Sequence, residues 1–249
     1  MTNISVIIPT LQKNTDLLFN LIKNLEKDEN VKEIIVIDNS LKGITCKCDK
    51  LKVITPKENL FVNPSWNLGV KEAKYEIVAL LNDDIIIPKD FCSTVAHKMT
   101  PNIGAIGANV DFVETIREII PAPNANNLVL SETEYRNPYW GIMIFFNKKN
   151  YKKIPEDMKI FYGDDWIFET NKKAGRKNYY ISNVKIYHWG SLSVSTVNDC
   201  IYIKQDKKRY RHHTLKWYNR LFNFEKLFRG FRIIFLGIEF TYHTQKSFE

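Results

Sequence analysis

The apolar positions of the N-terminal half fall into short continuous runs separated by segments with a helical period. Residues 4–9 (ISVIIP), 33–38 (EIIVID) and 76–81 (EIVALL) are mostly apolar, as expected of parallel strands that are covered on both faces. After the first run, apolar residues recur at a spacing that gives a helix one buried face: Leu17, Leu18, Leu21, Ile22 and Leu25. This half therefore alternates strand and helix.

The remaining elements extend this alternation. Residues 52–55 (KVIT) predict a shorter strand, and Asn63 followed by Pro64 predicts the N-cap and first position of a helix that continues to Ala73. After about residue 100 the pattern loosens into candidate strands without regular helices between them, at 141–146, 178–182 and 184–189. Together these elements predict an α/β domain with a mostly parallel central sheet flanked by helices.

The length and the charge distribution bound the possible functions. A chain of 249 residues with 44% hydrophobic residues suits one domain, or one domain with an appendage, and is too apolar for a disordered protein. The net charge is +8, but residues 201–249 hold 11 Lys and Arg against 4 Asp and Glu, which leaves 25 against 24 for residues 1–200. A uniformly basic nucleic-acid binder is therefore disfavoured, and no nucleic-acid partner is expected.

Several familiar sites and segments are missing from the sequence. The first glycine is Gly43, so no GxGxxG turn follows the first strand, and no GxxxxGK occurs, which disfavours dinucleotide oxidoreductases and P-loop NTPases. The CxC pair Cys46 and Cys48 has no second Cys or His cluster near it, so zinc is not indicated. Neither a signal peptide nor an apolar stretch of about 18 residues is present, and we expect a cytoplasmic location with reduced thiols.

Polar residues at the carboxyl ends of the predicted strands are the first candidates for a site, because α/β sheets bind ligands there. They are Pro9 and Thr10, Asp38 to Ser40, and Asn82 to Asp84. Asp83 and Asp84 are adjacent carboxylates that repel each other unless a cation or hydrogen bonds compensate them, and such oxygen-rich clusters favour Mg²⁺ or Mn²⁺. An ordinary polar turn is the competing interpretation.

A second acidic pair, Asp164 and Asp165, lies in the aromatic segment FYGDDWIF (161–168). Burial among aromatic rings would raise the pKa of a carboxylate toward that of a general base, and an indole face suits the apolar face of a sugar. Trp166 in this segment, and Trp140 before it, are expected to contact a sugar that acts as an acceptor. The competing interpretation is a helix start, with Gly163 or Asp164 as the cap of a segment that continues to Ala174, and both can hold together.

His188 ends the apolar run VKIYHW (184–189). A histidine at a strand end is commonly structural. If the fold returns it to the first acidic pair, however, its neutral imidazole becomes a candidate ligand for the same metal.

The ordered set SVIIPT, EIIVIDNS, PSWNLGVKEAKYEIVALLNDDI, GIMIFF, FYGDDW and YHWGS resembles the family 2 glycosyltransferases with a GT-A fold. The resemblance covers roughly residues 4–191. Within the family, the motifs are most similar to those of bacterial enzymes of O-antigen and capsular polysaccharide synthesis, including rhamnosyltransferase-like members. It implies a GT-A catalytic domain over 1–200, with a nucleotide-binding half at 1–100 and an acceptor half at 101–200.

The resemblance also implies roles for individual residues. Pro9, Thr10 and Asp38 would line the nucleoside pocket, with Asn67 on the helix beside the donor. The NDD triplet matches the family's DxD region, so Asp84 would bind a divalent metal, Mn²⁺ or Mg²⁺, with Asn82 and Asp83 near the ribose and the metal shell. Asp165 would be the catalytic base, with Asp164 beside it.

The sequence departs from the family pattern at three points. Asn82 removes one charge from the DxD region, which affects metal binding or ribose contacts, and Trp66 stands where many relatives have arginine. No QxxRW motif is present, which argues for the addition of a single sugar rather than for a processive synthase.

The basic segment 201–249 has its own apolar period. Large apolar residues recur at steps of four and three, which predicts one stripe along a helix: Trp217, Leu221, Phe224, Phe228, Phe231, Phe235, Ile238 and Tyr242. With cations around it, such a helix suits an anionic membrane interface, where a polyprenyl-linked acceptor would be found. Packing on the catalytic domain, or on another copy of the chain in a homodimer, is equally supported.

The prediction that results is a metal-dependent inverting glycosyltransferase acting on a nucleoside-diphosphate sugar, with a UDP-sugar favoured and dTDP-rhamnose also compatible. Its acceptor would be a surface glycan or a lipid-linked glycan at the inner face of the cell membrane. Two alternatives stay open. They are a nucleotidyltransferase of similar fold, disfavoured by the missing glycine-rich loop, and a noncatalytic protein that binds nucleotide sugars or nucleic acid.

Overall fold

The computed structural model describes residues 2–124, 127–190, 197–214, 222–227, 230–235 and 238–242. The helices are α1 Thr15–Lys27, α2 Val62–Glu72, α3 Phe91–Ala96, α4 Gly163–Lys173 and α5 Val197–Thr214. The strands are β1 Ile4–Thr10, β2 Val31–Asp38, β3 Leu51–Ile54, β4 Ile77–Leu81, β5 Ile85–Ile86, β6 Ile103–Gly107, β7 Val113–Thr115, β8 Leu130–Thr133, β9 Met143–Asn147, β10 Lys177–Ile181, β11 Ile186–His188, β12 Phe222–Leu227, β13 Gly230–Phe235 and β14 Ile238–Tyr242.

A central sheet of eight strands has the order β3-β2-β1-β4-β9-β6-β10-β8. The first four strands are mutually parallel, and β9 runs antiparallel between β4 and β6. Beyond it, β10 is parallel to β6 and antiparallel to β8. The predicted α/β sheet flanked by helices is therefore confirmed, with a mixed half that follows the parallel half.

Both faces of this sheet are covered, which explains the continuous apolar runs. Val6 and Ile8 of β1 pack in one core cluster with residues of α1 and α3. Ile7, which points the other way, packs in a second cluster with Trp66 of α2 and Phe168 of α4. Successive side chains of a strand point to opposite faces, so a strand between two helical layers needs apolar residues at every position.

Helix α2 begins differently from the prediction. Its N-cap is Phe61, with φ of 67°, and Asn63 and Pro64 lie inside the first turn. Asn63 does not cap because its groups are used elsewhere: its backbone N–H donates to Lys159 O at 2.9 Å and its side-chain amide donates to Phe161 O at 3.0 Å. The predicted cap residue thus holds the segment that precedes α4.

A small second sheet, in the order β5-β11-β7, positions His188. Strand β11 runs antiparallel to β5, and His188 pairs with Ile85, the residue after Asp84. On its other side β11 runs parallel to β7. The chain therefore returns from residue 188 to the end of β4, about a hundred residues earlier in sequence, as the metal prediction required.

The C-terminal segment is not the long amphipathic helix that its spacing predicted. A helix is present at α5, but Phe222–Tyr242 contains the antiparallel strands β12, β13 and β14. Apolar residues at 231, 233 and 235 and at 238, 240 and 242 also alternate with a period of two, and aromatic and β-branched residues favour strands. Trp217, Leu221 and Phe228 of the predicted stripe lie outside the described residues.

No helix in the described ranges combines the length and apolar composition needed to cross a bilayer.

One buried carboxylate ties α5 to the segment before α4. Asp206 is fully buried and accepts hydrogen bonds from three successive backbone N–H groups, those of Lys159, Ile160 and Phe161, at 2.8–3.1 Å. Arg209 donates to the same carboxylate at 3.0 Å. These N–H groups are partly buried and share one fully buried acceptor, so this contact fixes the approach to α4.

We predict that Asp206→Asn lowers the free energy of unfolding by about 2–3 kcal/mol, because an amide cannot accept all of these bonds and leaves buried donors unsatisfied. Asp157→Asn is the matched control, since Asp157 also joins α5, through His213 at 2.8 Å, but its side chain is 48% exposed. That substitution should cost less than about 1 kcal/mol. Urea denaturation of both variants measures the difference, and equal effects would contradict this account of Asp206.

Candidate functional site

The ends of β1, β2 and β4 meet at the carboxyl edge of the parallel half. Thr10, the last residue of β1, pairs in register with Asp38, the last residue of β2. The Thr10 hydroxyl donates to Asp83 Oδ2 at 2.5 Å. The structure thus brings together Thr10, Asp38 and Asp83, three of the six residues predicted from strand ends to form the nucleoside pocket and the acidic triplet, and Pro9 lies next to Thr10, half-buried.

Asp38 is fully buried and accepts four hydrogen bonds. Its Oδ1 accepts from Gln12 Nε2 at 2.9 Å and from the N–H and hydroxyl of Ser40, and its Oδ2 accepts from Gly43 N–H at 2.8 Å. Burial raises the pKa of Asp38, but the hydrogen bonds from Ser40, Gln12 and Gly43 outweigh it and lower the pKa overall. A carboxylate has about four acceptor positions, so a nucleoside base that bonds to Asp38 would have to displace one of these donors. Gln12 is the one donor that does not belong to the loop of residues 38–43.

The acidic triplet Asn82, Asp83 and Asp84 follows β4 directly. Burial raises the pKa of Asp83 to about 6; the Thr10 hydrogen bond opposes the shift and the neighbouring charge of Asp84 adds to it. Asp84 is 5% exposed, and its Oδ1 lies 3.3 Å from His188 Nε2. Trp189 N–H donates to the Asp84 carbonyl at 2.9 Å, which fixes the end of β11 against the triplet.

The pair Asp84 and His188 fits a divalent cation. Asp84 Oδ1 is buried without a hydrogen-bond partner, although buried polar atoms are normally satisfied, and it faces His188 Nε2. Ligand atoms about 2.1 Å from an octahedral ion are about 3 Å apart, which matches the Oδ1–Nε2 separation of 3.3 Å. Within the described ranges, no group of three or more His, Cys, Asp and Glu residues forms a ready-made metal site.

The second acidic pair opens α4. Tyr162, with φ of 63°, turns the chain into the helix, and Asp164 and Asp165 occupy its first turn. The predicted helix start is confirmed, with Tyr162 rather than Gly163 or Asp164 as N-cap. Acidic residues are favourable in this position because the helix dipole is positive there.

Arg136 lies between the two carboxylates. Its Nε donates to Asp165 Oδ1 at 2.8 Å and its Nη1 donates to Asp164 Oδ2 at 2.9 Å. Burial raises the pKa of Asp164 to about 6, an effect that Arg136 opposes and Asp165 reinforces. One guanidinium therefore fixes both side chains while only partly compensating their charge.

Sequence reasoning missed Arg136. The signal available was indirect: two adjacent carboxylates among aromatic residues require a cation nearby. The chain has 36 Lys and Arg, and nothing in the spacing between residue 136 and residues 164–165 selects this one.

Residues 137–142 connect the two acidic centres. A side chain at Gly141 would lie against the Asp164 carboxylate, so the backbone passes directly beside it. One residue later, Ile142 O accepts the N–H of Asn82 at 2.9 Å. The Tyr139 ring lies edge-on to the His188 ring at 5.9 Å between centroids. Residues 139–142 therefore contact both acidic centres, the Asp164 carboxylate on one side and Asn82 and His188 on the other.

Three predicted site residues have other roles. Asn67 is buried, its amide donates to Ile154 O at 2.9 Å and its carbonyl accepts from Tyr151 Oη and Ile154 N, so it pins that segment instead of facing a donor. Trp140 is fully buried, and its indole N–H donates to Tyr179 O at 3.0 Å. Trp166 is 8% exposed and donates to Lys152 O at 3.1 Å.

Both indoles belong to the apolar core beneath α4, so their burial gives no support to the predicted acceptor role of Trp140 and Trp166. Trp66, at the position where relatives have arginine, is also in this core, with 5% exposure. The aromatic residues that flank the acidic pair stabilise α4 on the sheet rather than forming a sugar platform.

Comparison with known proteins agrees with this geometry. Residues 5–170, which are 166 of the 249 residues, match the sequence model described as "Glycosyl transferase family 2". Among curated proteins, none matches the chain.

Three solved structures are similar in fold. TarS 1–349 of S. aureus has a TM-score of 0.52 and 14% identity, over 86% of this chain and 73% of that one. GalNAc-T7, solved with UDP, GalNAc and Mn²⁺, has a TM-score of 0.62 and 13% identity, over 87% and 49%. The mannosyltransferase PcManGT from Pyrobaculum calidifontis, solved with GDP-Man and Mn²⁺, has a TM-score of 0.54 and 13% identity, over 84% and 64%. The chain thus spans about half of GalNAc-T7 and less than two thirds of PcManGT.

We predict that Asp83→Asn stabilises the fold at pH 7.5 but not at pH 4. The folded pKa of Asp83, about 6, exceeds its ordinary value of 3.8, so its favourable contribution to stability is present below about pH 4 and is lost as the pH rises through 6. The amide can still accept from Thr10 and carries no charge, so we expect a gain of about 1–2 kcal/mol at pH 7.5.

Thermal denaturation in EDTA at both pH values measures this effect, with the exposed Asp49→Asn as a control that removes the same charge. If Asp83→Asn raised the stability equally at both pH values, the pKa of Asp83 in the folded protein would not be raised by burial.

Proposed function

The chain belongs to glycosyl transferase family 2, and on that premise we propose that it transfers one sugar from a nucleoside-diphosphate sugar to an acceptor hydroxyl, with a divalent metal and with inversion at the anomeric carbon. The observation that carries the proposal is the single wall, residues 137–142, that links the Asp84–His188 pair to the Arg136-held carboxylates. Sugar transfer needs a metal-binding pair for the donor diphosphate and, close to it, a carboxylate base for the acceptor hydroxyl.

The donor side of the proposal uses the edge of the parallel strands. Thr10 and Asp38, with Pro9, would border the nucleoside, and the loop that Asp38 holds lies beside them. A UDP-sugar is the favoured donor and dTDP-rhamnose the second, and similar structures were solved with UDP and with GDP-Man. We assign the metal to Asp84 and His188, with Asn82 and Asp83 beside them.

The acceptor side uses the second acidic pair. Asp165 accepts the proton of the acceptor hydroxyl as that oxygen attacks the anomeric carbon, and the bond from this carbon to the diphosphate oxygen breaks with its electron pair leaving on the nucleoside diphosphate. Arg136 orients Asp165 from one oxygen, and the Asp165 side chain remains 25% exposed, within reach of a substrate. The chemistry supplied by Mn²⁺ or Mg²⁺ is neutralisation of the charge that grows on the departing diphosphate.

Asp164 supports this step rather than performing it. Its side chain is less exposed than that of Asp165. Its Oδ2 pairs with Arg136 and also lies directly against the backbone at Gly141. When Asp164 takes up a proton near pH 6, it loses its charge-assisted bond to Arg136, the side chain that positions Asp165. We expect transfer to fall as the pH drops through about 6.

The biological setting belongs to the same proposal. Synthesis of a bacterial surface polysaccharide, with a glycan or polyprenyl-linked acceptor at the cytoplasmic face of the membrane, fits an enzyme that adds one sugar, and the sequence lacks the QxxRW motif of processive synthases. A rhamnosyltransferase is one specific form of this proposal.

We predict that Asp165→Asn lowers transfer by about 10²–10⁴, the usual contribution of a general base, while UDP affinity in Mn²⁺ stays within about twofold. The amide can still meet Arg136 through its oxygen but cannot take a proton. Single-turnover transfer and calorimetry on the same preparation measure the two quantities, with Asp157→Asn as the control. Near-normal turnover in Asp165→Asn would remove Asp165 from this role.

We predict that UDP binds in the presence of Mn²⁺ and that single-stranded RNA does not bind at physiological salt. Asp84→Asn should remove most of the Mn²⁺-dependent part of UDP binding, because it removes one of the two assigned ligands, and Asp49→Asn should leave it intact. Calorimetry with both ligands also separates the alternatives: RNA binding without UDP binding favours a nucleic-acid protein. Incorporation of a nucleoside triphosphate into a sugar nucleotide favours a nucleotidyltransferase.

A further inference from the structure

The three C-terminal strands form a sheet with one exposed apolar face. The register places Ile233 between Phe224 and Phe240, Phe231 opposite Tyr242, and Phe235 opposite Ile238. Residues directly opposite each other in an antiparallel sheet share a face, and so do residues two apart in a strand. The face therefore carries these residues: Phe224, Phe231, Ile233, Phe235, Ile238, Phe240 and Tyr242.

Six of these seven side chains are open to solvent. Phe231 is 38% exposed, and the other five are between 53% and 60% exposed: Phe224, Phe235, Ile238, Phe240 and Tyr242. Phe231 stacks on Phe224 at 5.9 Å and on Tyr242 at 5.3 Å between ring centroids. Single exposed apolar residues are ordinary, but a contiguous set of this size marks an interaction surface.

The opposite face of the sheet is attached to the protein, which fixes the direction of the apolar face. Ile234 is 4% exposed, and Glu239 Oε1 forms an ion pair with Arg232 at 2.9 Å from Nε. Lys207 and Arg211 of α5 also pair with Glu239, the former at 2.7 Å. The two ion pairs from α5 hold the sheet against that helix, with its aromatic side outward.

The dimensions of the face argue against a second copy of the chain as its occupant. Three strands spaced about 4.8 Å apart, with five residues rising about 3.4 Å each, cover about 14 by 17 Å, or about 240 Å². A stable protein interface buries about 800 Å² on each partner. By itself the face supplies only part of such an interface, whereas a bilayer needs only side chains that enter its interfacial layer.

Charge favours a bilayer with anionic lipids. Residues 201–249 carry 11 Lys and Arg against 4 Asp and Glu, a net charge of +7. Three of these cations, Lys207, Arg211 and Arg232, pair with Glu239 on the attached face, and the net charge already counts that carboxylate. Each cation close to such a surface adds about 1 kcal/mol of attraction, and aromatic side chains settle at the boundary between headgroups and acyl chains. We infer that the apolar face of β12–β14 is a peripheral membrane-docking surface that inserts its aromatic and aliphatic side chains into an anionic bilayer interface.

The surface is connected to the acceptor side of the proposed active site. Helix α5, which holds Glu239, also holds residues 159–161 through Asp206. Its Tyr210 stacks on Tyr162 at 5.3 Å, directly before the acidic pair. If the proposed function is correct, docking of this sheet would present a lipid-linked acceptor hydroxyl to the side of the site that carries Asp165.

Flotation of the full chain with vesicles tests the inference. The vesicles are phosphatidylcholine alone, or phosphatidylcholine with phosphatidylglycerol. We expect binding to the anionic vesicles that weakens at high salt, and a fall of at least about tenfold in the triple variant Phe235→Ser, Ile238→Ser, Phe240→Ser. The matched control replaces three equally exposed apolar residues elsewhere, Leu41→Ser, Ile119→Ser and Val129→Ser, and should float like the unaltered chain.

Absence of flotation of the unaltered chain, or equal flotation of the two triple variants, would overturn the inference. So would a dimer of the unaltered chain that the sheet variant converts to a monomer, because a second copy would then cover the face. Donor hydrolysis in detergent-free buffer keeps this test separate from the proposed function: the sheet variant should retain it. Its loss in all proteins, with flotation intact, would count against sugar transfer and not against the docking surface.

Discussion

The carboxylates of the candidate site, which are buried or half-buried, are the constraint on which the rest of the site depends. Burying a charge is costly unless neighbouring groups compensate it. Asp83 has the Thr10 hydroxyl, Asp84 has His188, and Asp164 and Asp165 share Arg136. The compensation is incomplete, since burial still raises the pKa of both Asp83 and Asp164 to about 6. At neutral pH the site therefore attracts positive charge, which is the electrostatic condition for binding a cation and then a diphosphate.

The fold meets this constraint with contacts from distant parts of the chain. Strand β11 returns His188 to Asp84 by pairing with β5, and the segment after Arg136 touches both acidic centres. Helix α5 then fixes the approach to α4 through Asp206, so the C-terminal segment supports the acidic pair as well as carrying the exposed sheet. Removing any one of these contacts would leave a buried charge or donor without its partner.

The spacing of apolar and polar residues predicted those elements that are determined by interactions between residues close in sequence. Continuous apolar runs identified β1, β2 and β4, because strands between two helical layers need apolar side chains on both faces, and the acidic residues after β4 and at the start of α4 were found with them. Arg136 and Asp206 could not be found this way, since their partners lie 28 and 45 residues away or more. Asn67 and Trp140 are bonded in the core, and residue type alone does not tell such a side chain from one that faces a ligand. The prediction of one long C-terminal helix was wrong because the apolar residues of this segment fit a helical period of about 3.5 as well as the period of 2 of a strand.

The most direct test is anomalous diffraction from crystals grown with UDP and Mn²⁺. The account predicts one manganese peak about 2.1–2.3 Å from both Asp84 Oδ1 and His188 Nε2, with the diphosphate on the same ion and the base next to Thr10 and Asp38. A manganese ion bound away from Asp84, or a nucleotide on a surface that does not include the edge of β1 and β2, would contradict it.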